Sequence, residues 1–149
     1  MIRTLLILIV FSLFSFSVHA SEPLVKVENK SWGFLGPFGT YNKSSLQRGL
    51  QVYTEVCSSC HSLKYIAYRN LSDLGYNKEE IKAFSANFSV MDGPNDDGEM
   101  FERPGRPSDH FVSPYPNVNA AKAANGGAYP PDLSLITKAR GGGADYLYS

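Results

Sequence analysis

Cys57-Ser58-Ser59-Cys60-His61 is the stretch on which the reading of this 149-residue chain turns. Two cysteines three positions apart, followed at once by a histidine, form the c-type haem attachment signature. The spacing has a chemical reason. At a helix end each thiol can add to one vinyl group of a haem, and the adjacent imidazole is then directed at the iron as proximal ligand. Composition alone would place such a pentapeptide in roughly one chain in a thousand of this length. The pattern predicts one covalently attached haem c, held by Cys57 and Cys60, with His61 as the metal ligand.

Three other uses of these residues stay open on the motif alone. A disulfide between Cys57 and Cys60 would suit an exported protein, and a thiol-disulfide oxidoreductase would use the same spacing at a helix N-terminus. That second setting expects a strand before the motif, whereas here the motif closes a helical pattern. Structural zinc would need a fourth ligand, and the remaining histidines are His19 and His110.

Working outward, Leu46, Leu50, Tyr53 and Val56/Cys57 recur with the period of an amphipathic helix, and Ser44 with Gln47 reads as its capping box. Residues 21–40, with Trp32-Gly33-Phe34-Leu35-Gly36-Pro37-Phe38-Gly39, have no period. Downstream, Asn77 and Glu80 form a second capping box ahead of Ile81, Phe84 and Phe88. Across 89–117, Pro94, Pro104, Pro107, Pro114 and Pro116 exclude a regular helix or a central strand. An alanine-rich helix over Val118–Ala124 is predicted to stop at Asn125-Gly126-Gly127. After Pro130-Pro131, Asp132 is expected to cap a helix through Leu135 and Ile136 that ends at Gly141. With no convincing alternating strand, the fold class is mainly α with long irregular loops, and loops of that length call for a functional explanation.

Composition agrees with a single modest domain: 43% of residues are hydrophobic, and 14 basic residues balance 14 acidic ones. Charge neutrality with scattered basic residues excludes a nucleic-acid binder, which needs a dense Lys/Arg footprint. Residues 1–20 read as a secretory signal peptide: Arg3, an apolar run over 5–18, and Val18-His19-Ala20 as the cleavage site. That run is short for a bilayer span of about 20 residues; an uncleaved N-terminal anchor is the alternative. The domain proper would be 21–149, outside the cytoplasm, most simply in a bacterial periplasm.

Together with the motif, several segments resemble the cytochrome c1 family. They are Gly36-Pro37-Phe38-Gly39, Gln47-Arg48-Gly49-Leu50-Gln51-Val52-Tyr53, Tyr68-Arg69-Asn70-Leu71, Asp92-Gly93-Pro94-Asn95, and Gly98-Glu99-Met100-Phe101 with Arg103-Pro104-Gly105. Further on come Ala123-Ala124-Asn125-Gly126-Gly127-Ala128, Pro130-Pro131-Asp132-Leu133, and Ala139-Arg140 with Asp145-Tyr146. The resemblance implies a cytochrome c-like helical haem domain. It implies the haem subunit of the ubiquinol:cytochrome c oxidoreductase, an electron carrier and not an enzyme by itself. Such a subunit sits on cytochrome b, takes electrons from the Rieske iron-sulfur protein and passes them to cytochrome c, on the periplasmic side of the membrane. A free-standing periplasmic c-type cytochrome remains the alternative.

The resemblance also implies roles for single residues. The Pro130-Pro131 turn would offer a backbone carbonyl to the second ring nitrogen of His61, and Arg140 would lie beside a haem propionate, with Tyr146 in the same region. Outside that resemblance, Arg140 reads equally as a helix-end arginine and Tyr146 as a packing tyrosine. The family's methionine ligand and C-terminal membrane anchor are expected beyond Ser149, so the domain is expected to be incomplete, with Met91 and Met100 read as packing residues. Residues 83–102 hold five acids (Asp92, Asp96, Asp97, Glu99, Glu102) and no Lys or Arg. This patch is read as a docking surface for a basic cytochrome c, or else as a solvated loop. A calcium loop is not supported, because Gly93 and Pro104 would fall at its essential ligand positions.

Overall fold

Asn42, two residues ahead of the predicted Ser44, starts the first helix: its side-chain oxygen accepts the Ser45 N–H at 2.9 Å. An Asx side chain in this position satisfies one of the free donors of the first turn. Gln47, expected in a capping box, instead reaches out of the helix and donates to the Leu74 carbonyl at 3.0 Å. The computed structural model describes residues 27–149, and the signal peptide expected over 1–20 lies outside the described residues. Helix α1 is Lys43–Glu55, and its inward face is Leu50 and Tyr53. Beyond it the apolar stripe continues through Cys57, which packs against the core, while Val56 is exposed. A single 3-10 turn, Cys57–Ser59, follows directly.

A second 3-10 segment, Tyr68–Leu74, carries two core residues, Tyr68 and Leu71. It ends at Gly75, whose φ of 98° is the left-handed conformation in which glycine avoids a Cβ clash. Helix α2, Lys78–Ser85, opens with the predicted reciprocal box: Asn77 Oδ1 accepts from Glu80 N, and Glu80 Oε2 accepts from Asn77 N, both at 2.8 Å. Together α1, the Tyr68 segment and α2 bury Leu50, Tyr53, Tyr68, Leu71, Ile81 and Phe111. Tyr68 is the centre of this cluster, 4.6 Å from the Phe111 ring and 5.3 Å from that of Phe88. These offset and tilted ring contacts add to plain area burial.

The proline-rich stretch contains regular structure that the sequence reading missed. Strands β1, Ser89–Asp92, and β2, Phe101–Pro104, form an antiparallel ribbon in which Ser89 faces Pro104 and Asp92 faces Phe101. Pro104 is the last residue of a two-stranded ribbon, the kind of position where a missing N–H is tolerated. The ribbon is tied to the body by Arg103, which pairs with Asp92 and grips Asp109 through two bonds of 2.7 and 3.0 Å. Asp109 sits in the loop that runs beside the Tyr68 segment, where its carbonyl and that of Pro107 accept the N–H groups of Tyr68 and Arg69. Gly105 lets the chain pass close to α2: a Cβ there would meet the Ser85 carbonyl oxygen at 2.5 Å.

Helix α3, Val118–Ala124, has the predicted bounds and is capped by Asn117, whose side chain accepts the Ala120 N–H at 2.9 Å. The next helix is shorter than expected: α4 is Ile136–Ala139, and no side chain caps it. A last helix, α5, is Ala144–Tyr148. No helix among the described residues is long and apolar enough to cross a membrane.

Candidate functional site

The end of α1 delivers the Cys-x-x-Cys-His segment. Val56 N–H closes the helix on the Val52 carbonyl, and Cys57 then offers its carbonyl to both Cys60 N–H (3.1 Å) and His61 N–H (2.8 Å). That tight turn folds the pentapeptide into one compact unit. Both thiols are free and half-buried. Tyr53, one turn back on α1, donates its hydroxyl to the His61 carbonyl at 3.1 Å, so the core itself holds the backbone of the histidine. Burial, helped by the Asp132 charge, pushes the Tyr53 phenol up to about 12, which keeps it a neutral donor.

The histidine side chain is fixed from seventy positions away. His61 Nδ1 lies 2.8 Å from the Pro131 carbonyl oxygen, to which it donates in the tautomer that leaves Nε2 free. Pro131 begins a strap laid along residues 61–65. Ser62 Oγ and Lys64 N donate to Asp132 Oδ2 at 2.7 and 2.9 Å, Leu133 N donates to the Ser62 carbonyl at 2.9 Å, and Tyr65 N donates to Ser134 Oγ at 3.1 Å. Asp132 was expected to cap a helix; it binds the strap down instead, and its Oδ1 takes the Ser134 N–H at 2.9 Å in a local turn. Burial raises the Asp132 carboxyl, but the hydrogen bonds from Ser134, Lys64 and Ser62 outweigh it and leave the group below its usual range.

Beside Cys60 a cleft of about 180 Å³ opens between the strap and α3, lined by Tyr115, Val118, Ala121, Tyr129 and Pro130 among others. Val118 and Tyr129 stay about half exposed there, and Leu135 nearby in sequence is 54% exposed. Two free thiols, an imidazole with one nitrogen held and the other free, and uncovered apolar side chains make a donor set that fits a covalently attached haem.

Arg140 and Tyr146 lie further along the same segment and are brought to each other, the guanidinium 5.5 Å from the ring centroid. Arg140 ends α4, and among the described residues it has no carboxylate within ion-pair distance. The acidic patch is changed by the ribbon. Asp92 is paired with Arg103, whereas Glu102 stays exposed and charged while accepting from Ser89 Oγ at 2.9 Å. Asp96, Asp97 and Glu99 remain exposed at the ribbon tip, where Asn95 Oδ1 ties the Asp97 and Glu99 backbones. Met91 and Met100 are both exposed on this ribbon, at 58% and 59%. Three residues that matter here escaped the sequence reading: Trp32 and Asp145, which meet across the chain, and Arg103.

The fold and this site define a helical domain built round a haem-attachment pentapeptide. The chain belongs to the Cytochrome C1 family, whose model matches residues 32–149. It is 56% identical over 131 residues to a cytochrome b/c1 of Bradyrhizobium diazoefficiens, covering 86% of this chain and 19% of that protein. To the cytochrome c1 of Rhodospirillum rubrum it is 52% identical, covering 89% of this chain and 49% of the relative. A mitochondrial cytochrome b-c1 complex catalytic subunit of Candida albicans is 50% identical, covering 80% and 41%. Apart from the much longer Bradyrhizobium protein, the chain spans about half the length of these curated relatives.

Proposed function

We propose that this chain carries one covalent haem c and serves as the electron-transfer haem subunit of a cytochrome b-c1 complex. In this reading it sits on cytochrome b at the periplasmic face of the membrane, accepts electrons from the Rieske iron-sulfur protein and passes them to cytochrome c. By itself it is an electron carrier; the oxidoreductase is the complex. The observation that carries the proposal is the coupling of two free thiols at a helix end to a histidine whose Nδ1 is held by the Pro131 carbonyl.

When bound, the haem supplies a one-electron iron couple. Cys57 and Cys60 would hold it through their sulfurs, and His61 would offer Nε2 to the iron. The Nδ1–H donated to Pro131 fixes the imidazole plane and makes the ring a stronger donor to the metal. Asp132 maintains that alignment by pinning the strap to Ser62 and Lys64. Pro130 and Tyr129 line the open cleft beside Cys60. Arg140, a cation without a carboxylate partner among the described residues, is assigned to a haem propionate, with Tyr146 as its stacking surface. The exposed acids at the ribbon tip, Asp96, Asp97 and Glu99, are assigned to steering a basic cytochrome c.

The test is to express the protein with a haem-attachment system, stain a denaturing gel for haem and record the pyridine haemochrome spectrum. One haem per chain that survives denaturation, with a reversible one-electron titration, is expected. A haem-free product whose Cys57 and Cys60 cycle between dithiol and disulfide would overturn the proposal in favour of thiol-disulfide exchange.

A further inference from the structure

The segment around Trp32 is fastened to helix α5. Trp32 Nε1 donates to Asp145 Oδ1 at 2.6 Å, and the backbone N–H of Lys30 donates to the same oxygen at 3.2 Å. Tyr148 meets the Trp32 ring edge-on at 5.8 Å, and the Lys30 ammonium lies 3.7 Å from the Tyr148 centroid and 5.3 Å from that of Trp32. Glu28 N donates to Ser149 Oγ at 2.9 Å, and Val27 packs against Gly142. The fastening is therefore a hydrogen bond to a carboxylate inside an aromatic and cationic stack.

Helix α5 has five residues and no side-chain cap. A helix that short does not hold its shape in water by its own bonds. Ala144 and Asp145 are half-buried while Tyr146 is 40% exposed, and Asp145 is the point at which the Lys30–Trp32 segment grips the helix. Tyr146, next in sequence to Asp145, carries the Arg140 guanidinium over its ring. Arg140 has no other charged group to fix its direction among the described residues. The order of dependence is then Trp32 to Asp145, Asp145 to α5, and Tyr146 on α5 to Arg140.

We propose that Trp32 and Asp145 are positioning residues for Arg140, holding its charge where it biases the haem toward the reduced state. This rests on the assignment of Arg140 to a haem propionate. A cation held near the haem stabilises the more electron-rich form, so letting it swing into solvent lowers the midpoint potential. The indole N–H is the group that matters: it supplies a donor to Asp145, which the smaller phenylalanine ring, still aromatic, does not.

The test uses the full-length, haem-loaded protein and reads its equilibrium midpoint potential. R140Q is expected to lower the equilibrium constant for reduction about tenfold, about 59 mV for a one-electron couple. W32F and D145A are each expected to lower it about threefold, and W32F added to R140Q is expected to give no further drop, as for two residues acting through one group. D145N keeps an acceptor oxygen for Trp32 and Lys30 and is expected to stay at the parent potential, which a loss of fold stability alone would not predict. If R140Q shifts the potential while W32F and D145A leave it unchanged, the positioning role is wrong and the Arg140 assignment stands. If R140Q itself has no effect, the Arg140 assignment fails and takes this inference with it. Should W32F not retain haem, the D145A and D145N pair decides the matter alone: equal potentials refute the role, and a drop confined to D145A supports it.

Discussion

Replacing Asp132 by alanine removes three hydrogen bonds at once, and its cost can be worked out partner by partner. Lys64 N and Ser134 N lie near the surface and regain water, so each loses about 0.5–1 kcal/mol of net bonding. Ser62 is different, being only 8% exposed. Its hydroxyl loses a charged acceptor at 2.7 Å inside the fold, a loss of about 1–3 kcal/mol. The sum is about 3 kcal/mol, which for a domain of this size lowers the melting temperature by roughly 6–12 °C. Because Leu133 N still bonds the Ser62 carbonyl, the strap loosens without detaching, and His61 loses a firmly placed acceptor at Nδ1. Thermal unfolding of haem-loaded D132A, followed in the far-ultraviolet and at the haem absorption, measures both effects. The expected result is a lower melting temperature with an earlier loss of histidine ligation. A D132A protein that melts together with its parent and keeps its haem spectrum would show that the strap does not depend on this carboxylate. The acid limb gives an independent check. Since hydrogen bonding holds the folded Asp132 carboxyl below its usual value of 3.8, its stabilising effect is complete above that pH and is lost as pH falls below it. D132N should erase that part of the acid dependence.

Other expectations are as direct. The C57S/C60S double variant should lose haem staining on denaturing gels, because no thioether remains. R103Q should speed amide exchange in Ser89–Asp92. The Arg103 bonds, opposed by burial, hold the folded Asp109 carboxyl at about 2, so the parent protein should lose stability between pH 4 and 2 in a way that R103Q does not. Truncating the core ring in F111A should cost about 3–5 kcal/mol, measured by denaturant unfolding. Charge reversal at Asp96 and Asp97 should flatten the ionic-strength dependence of electron transfer to a basic cytochrome c, and an unchanged dependence in stopped-flow traces would leave these acids without a docking role.

What could be read from the sequence was what neighbouring residues decide among themselves. The Asn77-Glu80 box, the Val118–Ala124 helix with its glycine stop, and the Cys-x-x-Cys-His turn are all local, and their geometry follows from spacing. Local competition explains the misplaced start of α1: Asn42 and Ser44 are both competent caps, and the choice freed Gln47 to bind Leu74. The ribbon over 89–104 was hidden because the five prolines of the 89–117 stretch outweighed four-residue strands, and because the side chain that secures it, Arg103, finds Asp109 only after the chain turns at Gly105. Asp132 fits a helix-cap pattern perfectly well by itself. It binds the strap because Ser62 and Lys64, about seventy residues earlier, present donors that no local pattern reveals. A still longer separation, 113 positions, concealed the pairing of Trp32 with Asp145.

The seventy-residue separation between His61 and the carbonyl that orients it has a bearing on the order of events in synthesis. The pentapeptide is a local unit, whereas Pro131 reaches His61 only when a loop of seventy residues closes. Closing a loop of that length is an entropic cost borne late in folding. A nascent chain therefore exposes two reactive sulfurs and a freely turning imidazole well before it can fix the ring. Covalent capture and ligand alignment are in this way separable in time, and maturation machinery need recognise only the short linear segment.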